Sequence, residues 1–132
     1  MKNENQEDYI NYRLQRSKES YEESLILARE ERWNAVINRL YYACFYSVIA
    51  LLIKNNIETR SHDGARTQFG LHFVKTEKIN RSLGKLFSKL FDYRQKGDYG
   101  DMFDFDEELT KPLITEVKLF ISTIENLLNK SK

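Results

Sequence analysis

Between Trp33 and Ile53 apolar residues first recur at helical spacing and then close into a run that is apolar on every side. Trp33, Val36, Ile37 and Leu40 share one face, and from Tyr41 to Ile53 only Ser47 falls outside the apolar and aromatic set. A helix apolar all round must be enclosed by other elements, so the segment from about Glu31 to Lys54 is the predicted central helix. Its aromatic and β-branched residues would also suit a strand, but the run is too long for an ordinary one.

Four further helices follow from the same reading. The first, about Asp8 to Glu30, places Leu14, Tyr21, Leu25 and Ala28 on one side. A short third helix is predicted from Ser61, an N-cap candidate with Asp63 close behind, to about Phe73. The fourth, about Lys78 to Lys96, sets Ile79, Leu83, Leu86, Leu90 and Phe91 against a stripe of Lys78, Arg81, Lys85, Lys89 and Lys96. Arg94 departs from that stripe: at 3.6 residues per turn it falls among the apolar residues, where a charge needs a partner or a purpose. Gly97 and Gly100 bracket a turn, after which Asp104 or Asp106 can cap a fifth helix carrying Leu113, Val117, Phe120, Ile121, Ile124 and Leu128. Pro112 predicts either a kink or a helix start at Thr110. The fold class expected is all-α, with residues 1–132 forming one domain.

Composition narrows the setting. A 132-residue chain can bury a core without staples, and one Cys, Cys44, allows no internal disulfide and fits a reducing, cytoplasmic location. The polar start of the chain has no apolar signal region, and the thirteen residues from Tyr41 to Ile53 fall short of the roughly 20 that span a bilayer, so no membrane association is expected. The net charge of +1 is unevenly spread. Arg60 to Lys96 holds nine Lys or Arg against three acids, while Asp98 to Glu108 holds six acids and no base. That polarity suits a polyanion-binding face, and it suits equally two faces that pair in an oligomer. The acidic run does not match a calcium loop in spacing or glycine placement, and no zinc pattern or phosphate loop occurs, so neither metal nor cofactor is expected.

Three segments carry a family resemblance. Arg39-Leu-Tyr-Tyr-Ala-Cys-Phe-Tyr46, then Ser61-His-Asp-Gly64 with Phe69-Gly-Leu-His-Phe-Val-Lys75, then Tyr93-Arg-Gln-Lys-Gly-Asp-Tyr99 resemble, in that order, the HEPN superfamily. The likeness is to its small stand-alone bacterial and archaeal branch, the UPF0332-like proteins. It implies an up-and-down bundle of four to five helices, frequent homodimers, and a role near RNA or nucleotides, often beside a small nucleotidyltransferase in a toxin–antitoxin pair. Active members of the superfamily are metal-independent ribonucleases with an Arg followed, after four to six residues, by a His. The pairing has a chemical reason: one group takes the ribose 2′-hydroxyl proton, and a cation stabilises charge building on the phosphate.

Two places compete for that motif. Arg94 occupies the family's usual position, but Asp98 and Tyr99 follow where a His is expected, and neither is a good general base near neutral pH at its ordinary pKa. Arg66 and His72 fit the spacing with five residues between them, one helix too early. Each residue also has a plainer role. His72 reads as a half-buried structural histidine, His62 as a capping or loop residue, and Arg94 as a snorkelling side chain or a partner for Asp98, Asp101 or an acid from another helix. Arg39 and Tyr42 could reach an inter-helix cleft beside Arg94, and Lys85 and Lys89 could meet phosphates or simply be solvated. The favoured function is a module that binds RNA, a nucleotide or a nucleotidyltransferase partner with a degenerate Arg-to-His site. The alternatives are a metal-independent endoribonuclease toxin and a non-enzymatic dimeric scaffold.

Overall fold

The computed structural model describes residues 2–99 and 104–130, with side chains from 5 to 98 and from 104 to 129. Helix α1 (Lys2–Arg29) leads through a tight turn, with Glu31 at a positive φ of 55°, into α2 (Trp33–Lys54). Asn56, at φ 60°, ends that helix, and α3 (His62–Phe69) follows. A π-helical turn, Gly70–Val74, extends α3, and α4 (Arg81–Tyr99) and α5 (Glu107–Lys130) complete the chain. Among the described residues no strand occurs.

Cross-helix contacts define the direction of each helix. Gln6 near the start of α1 donates to the Ile53 carbonyl near the end of α2, at 2.8 Å, so the two are antiparallel. Asn38 of α2 bonds to Asp98, while Tyr41 meets Phe87 and Phe91, which sets α4 antiparallel to α2. Tyr21 reaches Ile114 and Lys18 reaches Glu125, setting α5 against α1. The result is an up-down-up-down bundle with α3 and the π-helical turn in the crossing between α2 and α4.

Helix α2 is the central element, touching α1, α3, α4 and α5. Eleven of its residues are buried, including Val36, Ile37, Leu40, Tyr41, Val48 and Leu51. The thirteen-residue apolar run understates it: the whole helix has 22 residues and is, among the described residues, the one helix long and apolar enough to cross a membrane. Its apolar surface is taken up instead by the surrounding helices, and one buried cluster draws on every helix of the chain.

Three sequence expectations change and one is resolved. The buried stripe of α1 includes Ser17, Ser20 and Ser24 beside Ile10, with Leu14, Tyr21 and Ala28 packed on the core and Leu25 outside it. A small hydroxyl side chain permits close approach, and Ser17 Oγ donates to the Ala43 carbonyl of α2 at 2.6 Å, so its polar group is satisfied although buried. Helix α3 stays α-helical only to Phe69, before the π-helical turn. Beyond that turn Gly84 lies so close to Val74 that an added Cβ would stand 2.8 Å from Val74 Cγ2. Helix α4 begins at Arg81 rather than Lys78. Of the alternatives for the fifth helix, the Asp106 cap holds: Asp106 accepts from the Leu109 N–H at 2.9 Å, α5 begins at Glu107 and Pro112 is accommodated inside it. Gly100 and Asp101 lie outside the described residues.

Candidate functional site

Tyr41, in the middle of α2, is the seat on which the site is built. Its ring is fully buried and lies nearly parallel to Phe87 at 5.9 Å. Burial pushes its hydroxyl pKa well up, with the nearby Arg94 charge opposing, so the phenol stays protonated.

Arg94 comes to that ring from α4. Its guanidinium carbon stands 5.0 Å from the Tyr41 centroid and 5.7 Å from that of Tyr42, a cation–π arrangement on two rings. The side chain is only 11% exposed, as its place on the apolar side of α4 requires. Its charge is answered by Asp98 one turn later, with Nη1 to Oδ2 at 3.6 Å, while Nε is buried without a hydrogen-bond partner. Asp98 Oδ2 in turn accepts from Asn38 Nδ2 at 3.2 Å, and Asn38 Oδ1 accepts from Arg39 Nη1 at 2.8 Å. Arg39 Nε lies 2.9 Å from Glu23 Oε1, an ion pair by distance whose N–H is not aligned into a hydrogen bond. Arg39 thus joins Arg94 through two intermediates, in a polar relay crossing from α4 over α2 to α1. Tyr99 closes α4, and its side chain lies outside the described ones.

The residue that sequence reasoning set aside is His62. At the first position of α3 it stacks on Phe45 at 4.2 Å and 13°, and its Nδ1 lies 2.7 Å from the Tyr41 hydroxyl. Its ring centroid stands 5.7 Å from Tyr41 and 5.8 Å from Tyr42, the same two rings that hold Arg94. Burial, and then the Arg94 charge, hold its pKa below the ordinary imidazole value, so it is neutral at neutral pH. The signal in the sequence was the Ser61 cap. Ser61 Oγ accepts from the Gly64 N–H at 2.8 Å and starts the helix so that the next side chain turns in against α2.

The Arg66 and His72 pair is not brought together. Arg66 lies in α3 and His72 in the π-helical turn beyond it, and the two side chains meet different surroundings. Arg66 faces α4, 4.2 Å from the Phe91 centroid, and pairs with Asp63 at 2.8 Å. His72 is exposed rather than half-buried, and its Nε2 bonds Gln68 Oε1 of its own helix at 3.0 Å.

Two hollows flank the seat. A groove of about 570 Å³ between α3 with its π-helical turn and α4 is lined by Arg66, Lys75, Arg81, Lys85, Lys89 and Lys96, against the single acid Asp92. Lys75, Arg81, Lys85 and Lys89 make no salt bridge among the described residues. The expected basic stripe of the fourth helix is therefore one wall of a two-walled groove. A second chamber of about 570 Å³ on the other side is lined by His62, Arg13 and Arg60 among apolar residues of α2. Among the described residues no cluster of three or more His, Cys, Asp or Glu could hold a metal ion. Cys44 is fully buried, which pushes its thiol pKa up and leaves it a packing residue.

Known proteins agree with this architecture. Residues 10–127 match the HEPN domain family. A UPF0332 protein from Thermotoga maritima is 37% identical over 126 residues, covering 96% of both chains. Two proteins of Methanocaldococcus jannaschii, named "Putative toxin MJ0605" and "Putative toxin MJ0142", are 30% and 27% identical, covering 86% and 87% of this chain and 84% and 78% of theirs. With the helical order and the match along nearly its whole length, the chain belongs to the HEPN domain family, among its UPF0332 members.

Proposed function

We propose that this protein is a toxin-like HEPN module that binds RNA through its phosphates, with the Arg94 site serving recognition rather than strand cleavage. The observation that carries this reading is the groove between α3 and α4. Six cationic side chains from two walls face one hollow with a single acid among them. Like charges gathered across a groove repel unless an anion enters, and Lys and Arg in rows supply the sequence-independent part of nucleic-acid affinity. Of the groove's aromatic residues Phe69 and Phe87 are buried and Tyr93 is half-buried, so the phosphate backbone, met by the six cations, is the main contact there. The names of the two Methanocaldococcus relatives support a toxin-like role.

RNA affinity should fall steeply with added salt, and Lys85→Ala with Lys89→Ala should weaken binding and flatten the salt slope by about 2. A binding curve indifferent to salt and to these substitutions rejects the proposal. A ribonuclease reading has one observation in its favour, the His62 imidazole beside Arg94. Mixed RNA incubated with the protein in EDTA decides it: cleavage that disappears in Arg94→Ala would replace recognition by catalysis.

A further inference from the structure

His62 and Arg94 reach Tyr41 and Tyr42 from different helices, and the hydrogen bond beneath His62 determines what its ring can offer. The Tyr41 hydroxyl has His62 Nδ1 as its one hydrogen-bond partner among the described residues, at 2.7 Å. A buried phenol that stays protonated must place its O–H on an acceptor, so Tyr41 donates and Nδ1 accepts. The ring proton of the neutral imidazole is then on Nε2. In that tautomer His62 presents a donor to whatever it meets, not a lone pair that could take a proton. It also lines the chamber of about 570 Å³ that carries Arg13 and Arg60, and Arg13 Nε is buried there without a hydrogen-bond partner.

We infer that His62 and Arg94, both mounted on Tyr41, form one anion-recognition unit in which the His62 Nε2–H binds a phosphate group of RNA. The imidazole missing between Arg94 and Tyr99 is thereby supplied from the start of α3, as a hydrogen-bond donor. This inference rests on the RNA-binding reading and deepens it by naming a second contact outside the lysine groove. The charged groups around His62 are Arg94 from α4, Arg13 from α1, Arg60 and Glu58 from the loop before α3, and Asp63 beside it, which is engaged by Arg66. Cations outnumber acids there, so a second proton on His62 is disfavoured in the free protein. A bound phosphate reverses that balance and raises the His62 pKa; the second proton would go to Nδ1, with the Tyr41 hydroxyl turning from donor to acceptor of that bond.

The test is nitrogen-resolved imidazole NMR on the full chain, titrated through the histidine range with and without a short single-stranded oligoribonucleotide. The free protein should show His62 protonated on Nε2 alone at neutral pH. The oligonucleotide should raise the His62 pKa and leave His72 unmoved. In parallel, His62→Asn, which keeps an acceptor near Nδ1, should bind the oligonucleotide several-fold more weakly, and His62→Gln, which restores a donor near Nε2, should recover part of the loss. Salt-sensitive RNA binding with an unmoved His62 titration, or a proton found on Nδ1 instead, overturns this inference and leaves the lysine groove standing. No RNA binding at all overturns both. The titration uses the unaltered chain, so a variant that fails to fold does not spoil the result.

Discussion

His62 and His72 stand at opposite ends of one short helical stretch, and their surroundings share almost nothing. His62 is stacked on Phe45, bonded to Tyr41 and lowered in pKa by burial and then by the charge of Arg94. His72 faces solvent, and its ring bonds a glutamine one turn back in the same helical stretch. By spacing alone His72 is the better match to an Arg-to-His motif, because Arg66 precedes it at the right interval. Spacing along a chain, however, selects a side chain without saying which way it turns. The histidine that shares Tyr41 with Arg94 comes from another helix.

The largest test of this contrast is Tyr41→Ala. Removing a fully buried aromatic ring should cost about 3–5 kcal/mol of stability, read from urea denaturation, and should displace Arg94 and His62 together. A loss under about 1 kcal/mol would mean that the seat does not organise the site. A smaller effect is expected in the pH dependence. The His62 pKa is lowered on folding, so the unfolded chain binds more protons below the ordinary value of about 6.5. The stabilisation from a neutral His62 is therefore fully present above that value and is lost as pH falls through the lowered folded pKa. Thermal melts across that window should lose part of their slope in His62→Asn and keep it in His72→Ala. The smallest effect belongs to His72→Ala itself, which should change stability by no more than about 0.5 kcal/mol, as for an exposed side chain with one local bond. A larger change would mean that His72 does structural work that its exposure does not suggest.

Much of the fold was legible because burial leaves a periodic trace. The all-round apolar run announced α2, the two-sided pattern announced α4, and Arg94 could be placed on the wrong side of its wheel before any contact was seen. The serines of α1 were not legible as core, since a hydroxyl scores as polar until Ala43 is found accepting from Ser17. Nor was the groove, whose second wall comes from Arg66 and Lys75 on a different element from Lys85 and Lys89. The helix start at Glu107 was legible through its Asp106 cap, one of the two candidates, and Pro112 did not move it to Thr110.

The sequence by itself determined what is local: which segments are helical, which faces are apolar, where charge accumulates, and that Arg94 needs a partner. Helical periodicity and the cost of burying a charge are properties of neighbouring residues, so they can be read along the chain. The sequence offered Asp98 among the partners of Arg94 and Tyr42 among its neighbours; tertiary structure selected them and added the ring of Tyr41. It also decided that His62 shares those rings and His72 does not. Such pairings depend on the direction each helix takes across α2, and that direction is set by the whole bundle closing around one apolar helix.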